Sequence, residues 1–526
     1  MSTIAKPPCD EAIIQSKAST TPCARKNELW ILAATILGSS IAFIDGTVIN
    51  VALPVLQKDL QVTVADVQWV VESYSLFLAA LILVGGSLGD IYGRRRLFAL
   101  GIFLFSTASI WCGLSPNVSQ LILARAVQGI GGALLVPGSL AIISASFNEE
   151  RRGRAIGTWS GFTAITAAIG PVLGGWLVQY GSWRWAFFIN VPLAAIVLFL
   201  LFWRVPESSD EKGAAYLDWQ GALLATVGLG FLVYGLIGAG QVGFSNLLVL
   251  GSLAIGIVVL FVFVWFESRT ASPMLPLTLF RSRNFSGANM LTFLLYAALG
   301  GALFFVPFNL IQVQGYSASA AGAAMLPFIF IMFLLSRWSG GLVNRYGAKL
   351  PLVIGPTIAA TGFALFAIPG IGNGTSSYWT TYFPAVVVLG TGMAISVAPL
   401  TTVVMSVIDT HHAGTASGVN NAVSRTASVL TIAALGIVMV SIFSRSLDNH
   451  LTTLKTAPDV RQLIDAQRVK LGGIELPPTL SHQMRIFLEQ AIDDAFVTGF
   501  RVVMLTSAGL ALASGISAWL IIENKK

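Results

Sequence analysis

The chain has 526 residues, 55% of them hydrophobic and 10% charged, where a soluble protein carries about 25% charge. So few charges cannot cover so much apolar surface, which excludes a soluble core and leaves an integral membrane protein. The net charge of +7 is then no argument for nucleic acid, because a basic excess must first be sought in the loops between spans. The 52 glycines and 21 prolines beside long apolar runs read as packed helices; barrel strands would alternate every second residue. Cys9, Cys23 and Cys112 make no disulfide framework.

Residues 1–29 are polar, show no small-residue cleavage site, and precede an apolar run longer than a signal peptide's, so the first helix is expected to stay uncleaved. Crossing the hydrocarbon takes about 20 apolar residues. Fourteen runs of that kind follow, the first six being 30–54, 67–89, 97–114, 121–145, 155–178 and 185–203. Two more lie at 217–240 and 247–266. The last six are 285–313, 320–343, 350–368, 379–407, 415–444 and 496–522. Runs 285–313 and 415–444 are long enough to tilt, kink or begin outside the bilayer. The segment 445–495 holds helical stretches at 458–468 and 481–494, with Ser481 placed to cap the second. A folded hairpin over one mouth and a solvated linker both fit it.

Lysine and arginine fix the expected orientation. With the N-terminus inside and the spans alternating, nineteen basic residues fall on the inner side. They include Arg94, Arg95 and Arg96, Arg151, Arg152 and Arg154, and Lys525 and Lys526. The short outer loops hold only Lys58 and Arg184. That bias puts both termini in the cytoplasm and requires an even number of spans.

One loop recurs. After the second run the chain reads GGSLGDIYGRRR (Gly85 to Arg96), and after the tenth GGLVNRYGAK (Gly340 to Lys349). Aligning Gly93 with Gly347 pairs Tyr92 with Tyr346, Asp90 with Asn344 and Gly86 with Gly340, 254 residues apart. Two six-helix halves separated by two extra helices give that spacing, and paired halves around a midplane site mark secondary transporters.

At these residues the sequence resembles the major facilitator superfamily, and within it the fourteen-span drug:proton antiporters that export quaternary-ammonium and other compounds. AFIDGTVINVALP (Ala42 to Pro54) is similar to the first-span motif, and GSLGDIYGRRR to the inner-loop signature. RAVQGIGGALLVP (Arg125 to Pro137) resembles the fourth-span motif, GPVLGGWL (Gly170 to Leu177) the antiporter motif, and WRWAFFINVPLA (Trp183 to Ala194) the start of the sixth span. The signature's usual basic residue after the aspartate is Ile91 here, and the second copy has Asn344 in place of Asp90.

The resemblance implies an all-α membrane protein with an N-terminal bundle at 30–204, two additional spans at 217–267, and a C-terminal bundle at 285–522. It implies residence in the cytoplasmic (inner) membrane of a bacterium. The inner-loop gate would be Gly86, Asp90, Gly93, Arg94 and Arg95, and the antiporter motif Gly170, Pro171, Gly174 and Gly175.

Charges within apolar helix are costly, about 2.5–3.5 kcal/mol each at a helix centre on insertion scales, and so call for explanation. Asp45 and Glu72 are the acids well within spans, and Arg125, Arg337 and Arg425 the bases. A carboxyl in a low-dielectric cavity can exchange a proton and attract a cation; Asp45 fits that role, or that of a strut held by a nearby arginine. Glu72, nearer the outer end, is a second proton site or a residue reaching the headgroups. The resemblance ties Arg125 to proton transfer; a brace between helices is compatible with that. Asp45, Asn420, Asn421 and Arg425 are the expected cavity residues. Arg425 would neutralise an acid of the other half, bind an anionic part of the cargo, or serve structure alone. Arg337 is read as structural.

No GxxxxGK[ST] loop is present, so ATP does not drive the protein directly. His411, His412, His450 and His482 lack cysteine or acid partners at ligand spacing, so no metal site is expected. No nucleophile–base pair or cofactor motif suggests an enzyme. The sequence therefore points to a proton-coupled multidrug exporter of amphipathic, often cationic compounds, working by alternating access. It would act as a single chain in the bilayer on small molecules and protons, with the proton gradient in place of a cofactor. A dedicated exporter of one metabolite or antibiotic, and a non-transporting scaffold or sensor, are the alternatives.

Overall fold

The computed structural model describes residues 27–147, 149–208, 218–271, 273–372, 374–406, 413–454, 456–478 and 480–523, some of them by backbone alone. The N-terminal tail to residue 26, Lys212, His411, His412, Lys525 and Lys526 lie outside them, as do the side chains of Arg152, Arg154, Arg337 and Asn344.

Fourteen long helices follow one another among the described residues. They are α1 (Glu28–Leu60), α2 (Val64–Tyr92), α3 (Arg94–Leu114), α4 (Val118–Ser146), α5 (Glu149–Tyr180) and α6 (Trp185–Arg204). Then come α7 (Trp219–Val242) and α8 (Leu247–Glu267). The last six are α9 (Arg283–Val313), α10 (Ala318–Ala324 continuing as Leu326–Gly340), α11 (Lys349–Phe366), α12 (Tyr378–Ser406), α13 (Ala413–Thr453) and α14 (His482–Ile521). Thirteen of these are long and apolar enough to cross a membrane on their described residues; α5, several of whose side chains are not described, is the other. Each helix overlaps one expected run, and no strand occurs among the described residues.

Local chemistry sets the helix ends. Thr63 begins α2 with a capping box: its hydroxyl accepts from the Asp66 N–H at 3.1 Å while Asp66 accepts from the Thr63 N–H at 2.9 Å. Two of the N-terminal donors that a helix leaves open are thereby satisfied. Between α2 and α3 the chain turns at Gly93, whose φ of 103° only glycine adopts without strain. The last turn of α9 widens to a π-helix at Asn309–Val313, one extra residue that a run of apolar side chains gives no sign of.

α1 to α6 pack on one another, α4 holding α2 and α3, and α1 lying between α5 and α6. α9 to α14 form a second bundle in which α11 and α12 pair and α14 touches α9, α11 and α13. α7 and α8 pair with each other, and α7 wedges between α2 and α13. Large apolar residues such as Phe199, Phe202, Leu247, Phe261 and Trp519 point outward, more than half exposed. That is a surface for lipid.

The halves join at α5–α10, α2–α13 and α1–α9. A side chain at Gly322 would occupy the place of the Pro171 carbonyl, and one at Gly175 that of the Ala318 carbonyl. Small residues thus let α5 and α10 approach backbone to backbone, beside a hydrogen bond from Ser319 to Gln179. The described hydrogen bonds that cross between the halves cluster toward the end of the bundles that carries the α1–α2 turn. Gln312 donates to Gln57 at 2.9 Å, and Gln57 to the Lys470 carbonyl at 3.2 Å.

Residues 481–494 are helical as expected, with Ser481 accepting from the Met484 N–H at 3.3 Å, and they run without a break into the last span as the first turns of α14. Likewise α13 runs on past residue 444 to Thr453. Residues 456–478 are a folded lid rather than a linker. A short helix, Pro458–Asp465, leads to a turn that buries Leu471 at a φ of 54°. Arg468 clamps this lid to Asp448 of α13 and also pairs with Asp465 within the lid, and those carboxylates push its guanidinium above its ordinary range. Arg501, absent from the sequence count of charges within spans, reaches the carbonyls of Ile368 and Pro369 at 3.4 Å.

Candidate functional site

Among the described residues, Asp45 and Arg125 belong to one closed network, and Glu72 and Arg425 stand outside it. In the network, Arg125 on α4 donates to Asp45 on α1 at 2.6 Å and to Gln128, one turn on, at 2.8 Å. Gln128 and Asn190 of α6 both donate to the other Asp45 oxygen, at 2.8 and 3.0 Å. Asn190 also meets Ser109 of α3 at 3.0 Å. The guanidinium is completed by the Val70 carbonyl at 3.1 Å and by the Tyr74 ring face, 4.3 Å from its carbon. Asp45, Arg125, Gln128, Asn190 and Ser109 are all buried.

A buried pair survives only when its remaining donors and lone pairs are satisfied, and here five residues from four helices satisfy them. Asp45 therefore does not line an open cavity as expected from sequence; its carboxylate is enclosed within the N-terminal bundle. Gln128 and Asn190 went unnoticed because an uncharged amide in a span costs too little to draw attention by itself.

Glu72 on α2 is different. It is 0% exposed, and among the described residues neither carboxyl oxygen has a hydrogen-bond partner. Complete burial rules out a headgroup-seeking role. Gln68 and Leu76 lie one turn either side on the same helix face. Gln68 donates to the Ile432 carbonyl of α13 at 3.0 Å, and Leu76 faces Gly230 of α7. Trp69, beside Gln68, meets Tyr234 of α7 with ring centres 6.3 Å apart. Glu72 thus sits at the seam where both bundles and the extra helix pair converge. A small cavity bounded by Val64, Gln68, Ile237, Gln241, Gly436 and Val440 lies at the end of that seam where α2 begins.

On α13 the expected cavity residues divide. Asn420 donates to Thr292 at 2.7 Å and Asn289 at 3.2 Å, tying α13 to α9, so it braces its own bundle instead of facing cargo. Asn421 is exposed, and Arg425 is partly so. Among the described residues no carboxylate pairs with Arg425.

Where α2 meets α3, Asp90 pairs with Arg94 within the same motif at 2.7 Å. Glu207, beyond α6, accepts from the N–H groups of Arg95 and Arg96 at 2.9 and 3.2 Å, placing a negative charge on the start of α3. It occupies the space a side chain at Gly93 would need, while Gly86 rests on Pro137. In the antiporter motif, Gly170 and Gly174 pack on α1 at Thr47 and Val48, and Pro171 and Gly175 on α10. The motif is a three-helix junction between the halves. Among the described residues no cluster of His, Cys, Asp and Glu could hold a metal ion.

Two bundles of six helices, close-packed across their interface and holding buried charges, define a membrane transporter of small molecules. The family model described as Major Facilitator Superfamily matches residues 35–432. The chain is 34% identical over 510 residues to the multidrug resistance protein Stp of Mycobacterium tuberculosis, covering 94% of this chain and 92% of that one. It is 31% identical to the tetracenomycin C resistance and export protein of Streptomyces glaucescens (95% and 93% covered). The puromycin resistance protein pur8 of Streptomyces alboniger is 30% identical (99% and 96%). Among solved structures, a bacterial homolog of the human lysosomal transporter Spinster, inward-facing and occupied, superposes with a TM-score of 0.65 at 15% identity (95% and 97%). The chain belongs to the major facilitator superfamily.

Proposed function

We propose that the protein exports small amphipathic compounds from the bacterial cytoplasm or inner leaflet in exchange for protons, from a cytoplasmic membrane in which both termini lie inside. The observation that carries this reading is Glu72: a carboxyl fully buried, without a partner, at the seam between the moving halves. A carboxylate left so would cost several kcal/mol, whereas the neutral acid costs far less. With the seam shut, Glu72 holds its proton. When α2 moves against α13, water reaches the group and the proton exchanges. The small cavity beside Gln68 supports entry of water from that end of the seam.

Asp45 and Arg125 form the second element, an internal pair whose rearrangement would follow the movement of α1 and α4. Cargo binding drives export only if it favours one arrangement of the halves over the other. The relatives' names support export of drugs and antibiotics, and they include both multidrug and single-antibiotic proteins. Export of one compound is therefore the second reading, and Arg425 favours it by demanding a particular chemistry.

The test is gradient-driven transport in proteoliposomes, with proton release followed in parallel by a pH-sensitive dye. Glu72→Gln keeps the shape and removes the proton site. The variant should still exchange cargo down its gradient but fail to concentrate it. Full concentrating power in both Glu72→Gln and Asp45→Asn would overturn proton coupling at these groups.

A further inference from the structure

Val64, Gln68 and Glu72 follow one another at four-residue steps along a single face of α2. The first two line the small cavity at the start of the helix. Glu72 lies beyond it, about 6 Å further along the axis. The polar walls of the cavity are Gln241 of α7, which is exposed, and Gln68, which is 4% exposed. The cavity thus leads from the protein surface to the Gln68 amide. There the way is shut. Gln68 Nε2 donates to the Ile432 carbonyl of α13 at 3.0 Å, a bond that crosses from one half to the other. A side chain at Gly436, one turn on from Ile432, would fall on that same amide nitrogen, so the glycine makes the space in which the amide lies. Ala65 of α2, Val233 of α7, and Val429 and Ala433 of α13 form an apolar cluster across the same three helices, and it offers water no hydrogen bond.

We propose that Gln68 is the gate on the proton path of Glu72: held on the Ile432 carbonyl it closes the path, and released as α2 leaves α13 it lets water from the cavity reach the carboxyl. This rests on the reading of Glu72 as a proton carrier and adds what controls it. An amide suits the task, because it donates and accepts hydrogen bonds without taking up the proton itself. Once free of the carbonyl, a buried amide needs a new partner, and a water in the cavity supplies one. The Glu72 O–H then gives its proton to water, leaving a carboxylate and a hydronium ion that departs through the cavity. Because the bond spans the halves, its opening and the exposure of Glu72 are one event, and the closed arrangement does not leak protons. Gln68 is therefore a positioning residue, and Gly436 serves it by having no side chain.

The experiment is carbodiimide modification of Glu72 in the full chain in nanodiscs, read by mass spectrometry of the peptide that carries it. Carbodiimides react with protonated carboxyls; dicyclohexylcarbodiimide arrives through lipid, and a water-soluble carbodiimide only through water. The water-soluble reagent should modify Glu72 at least about tenfold faster in Gln68→Ala and in Gly436→Ala than in wild type. Gly436→Ala adds volume, so a faster rate there does not come from a void. The double variant should react no faster than either single one, because both changes remove the same bond. Dicyclohexylcarbodiimide should label wild type and variants equally, which shows that they are folded and that Glu72 holds its proton. An unchanged water-soluble rate in either single variant, or rates that multiply in the double variant, would overturn the gate. None of those results touches the proton-carrier reading, which fails separately if Glu72→Gln keeps full concentrating power in proteoliposomes.

Discussion

Replacing Asp45 by Asn tests the closed network most directly. The carboxylate accepts from Arg125 with one oxygen and from Gln128 and Asn190 with the other. An amide has one oxygen and one NH2 group. If its oxygen faces Arg125, the NH2 confronts two donors; if it is flipped, the NH2 confronts the guanidinium. In either orientation Arg125 loses its counterion at full burial. Breaking a buried pair in this way costs about 3–5 kcal/mol, and 3 kcal/mol alone raises the open population on the order of a hundredfold. Cys112 reports on it locally, since it is buried with its sulfur 3.6 Å from Gln128 Oε1.

In a background with Cys9 and Cys23 changed to Ser, a thiol-reactive fluorophore labels Cys112 only when the network opens. Where closing outruns labelling, the rate reports the open population. Asp45→Asn should label on the order of a hundred times faster. Adding Arg125→Gln removes the orphaned charge and should restore about 1–3 kcal/mol relative to simple addition of the two effects. Unchanged labelling in Asp45→Asn, or strict additivity in the double variant, would refute the account of the pair.

Gly322→Val places a side chain where the Pro171 carbonyl lies. Closure of α5 on α10 should fail, and disulfide cross-linking of a Gln179→Cys/Ser319→Cys pair should fall by at least about tenfold, some 1.4 kcal/mol; unchanged yield would count against this junction. Arg468→Gln should loosen the lid and speed trypsin cleavage after Lys470. In wild type the carboxylates raise the affinity of Arg468 for its proton, so the clamp's contribution is lost only as pH climbs above the ordinary arginine range. Cleavage should accordingly show no clamp release up to about pH 10. Glu207→Gln removes the charge at the start of α3 and should cost about 1 kcal/mol, read as earlier heat inactivation of cargo binding.

Some of the site was legible in advance because its cost shows in composition. Asp45, Glu72, Arg125 and Arg425 stand out as charges in oil, and a charge in oil needs a reason wherever the chain puts it. Tyr74 and Gln128 did not stand out, because a phenol or an amide is ordinary in a span until its neighbours are known. The lid turn at Leu471 was equally hidden: a positive φ at a leucine is held by packing against distant helices and leaves no trace in its own residue type.

The order and type of the helices follow from the sequence alone, since long apolar runs have one stable form in lipid and basic loops indicate a side. Which charges meet is a different matter. Asp45 and Arg125 are 80 residues apart and could be paired or separate on the same fourteen spans; only the packing of α1 against α4 brings them together. Among the described residues the same packing leaves Glu72 without a hydrogen-bond partner and Arg425 without a carboxylate partner. An interaction between residues on different helices depends on rotation and depth, which short-range sequence pattern does not encode and tertiary contacts do.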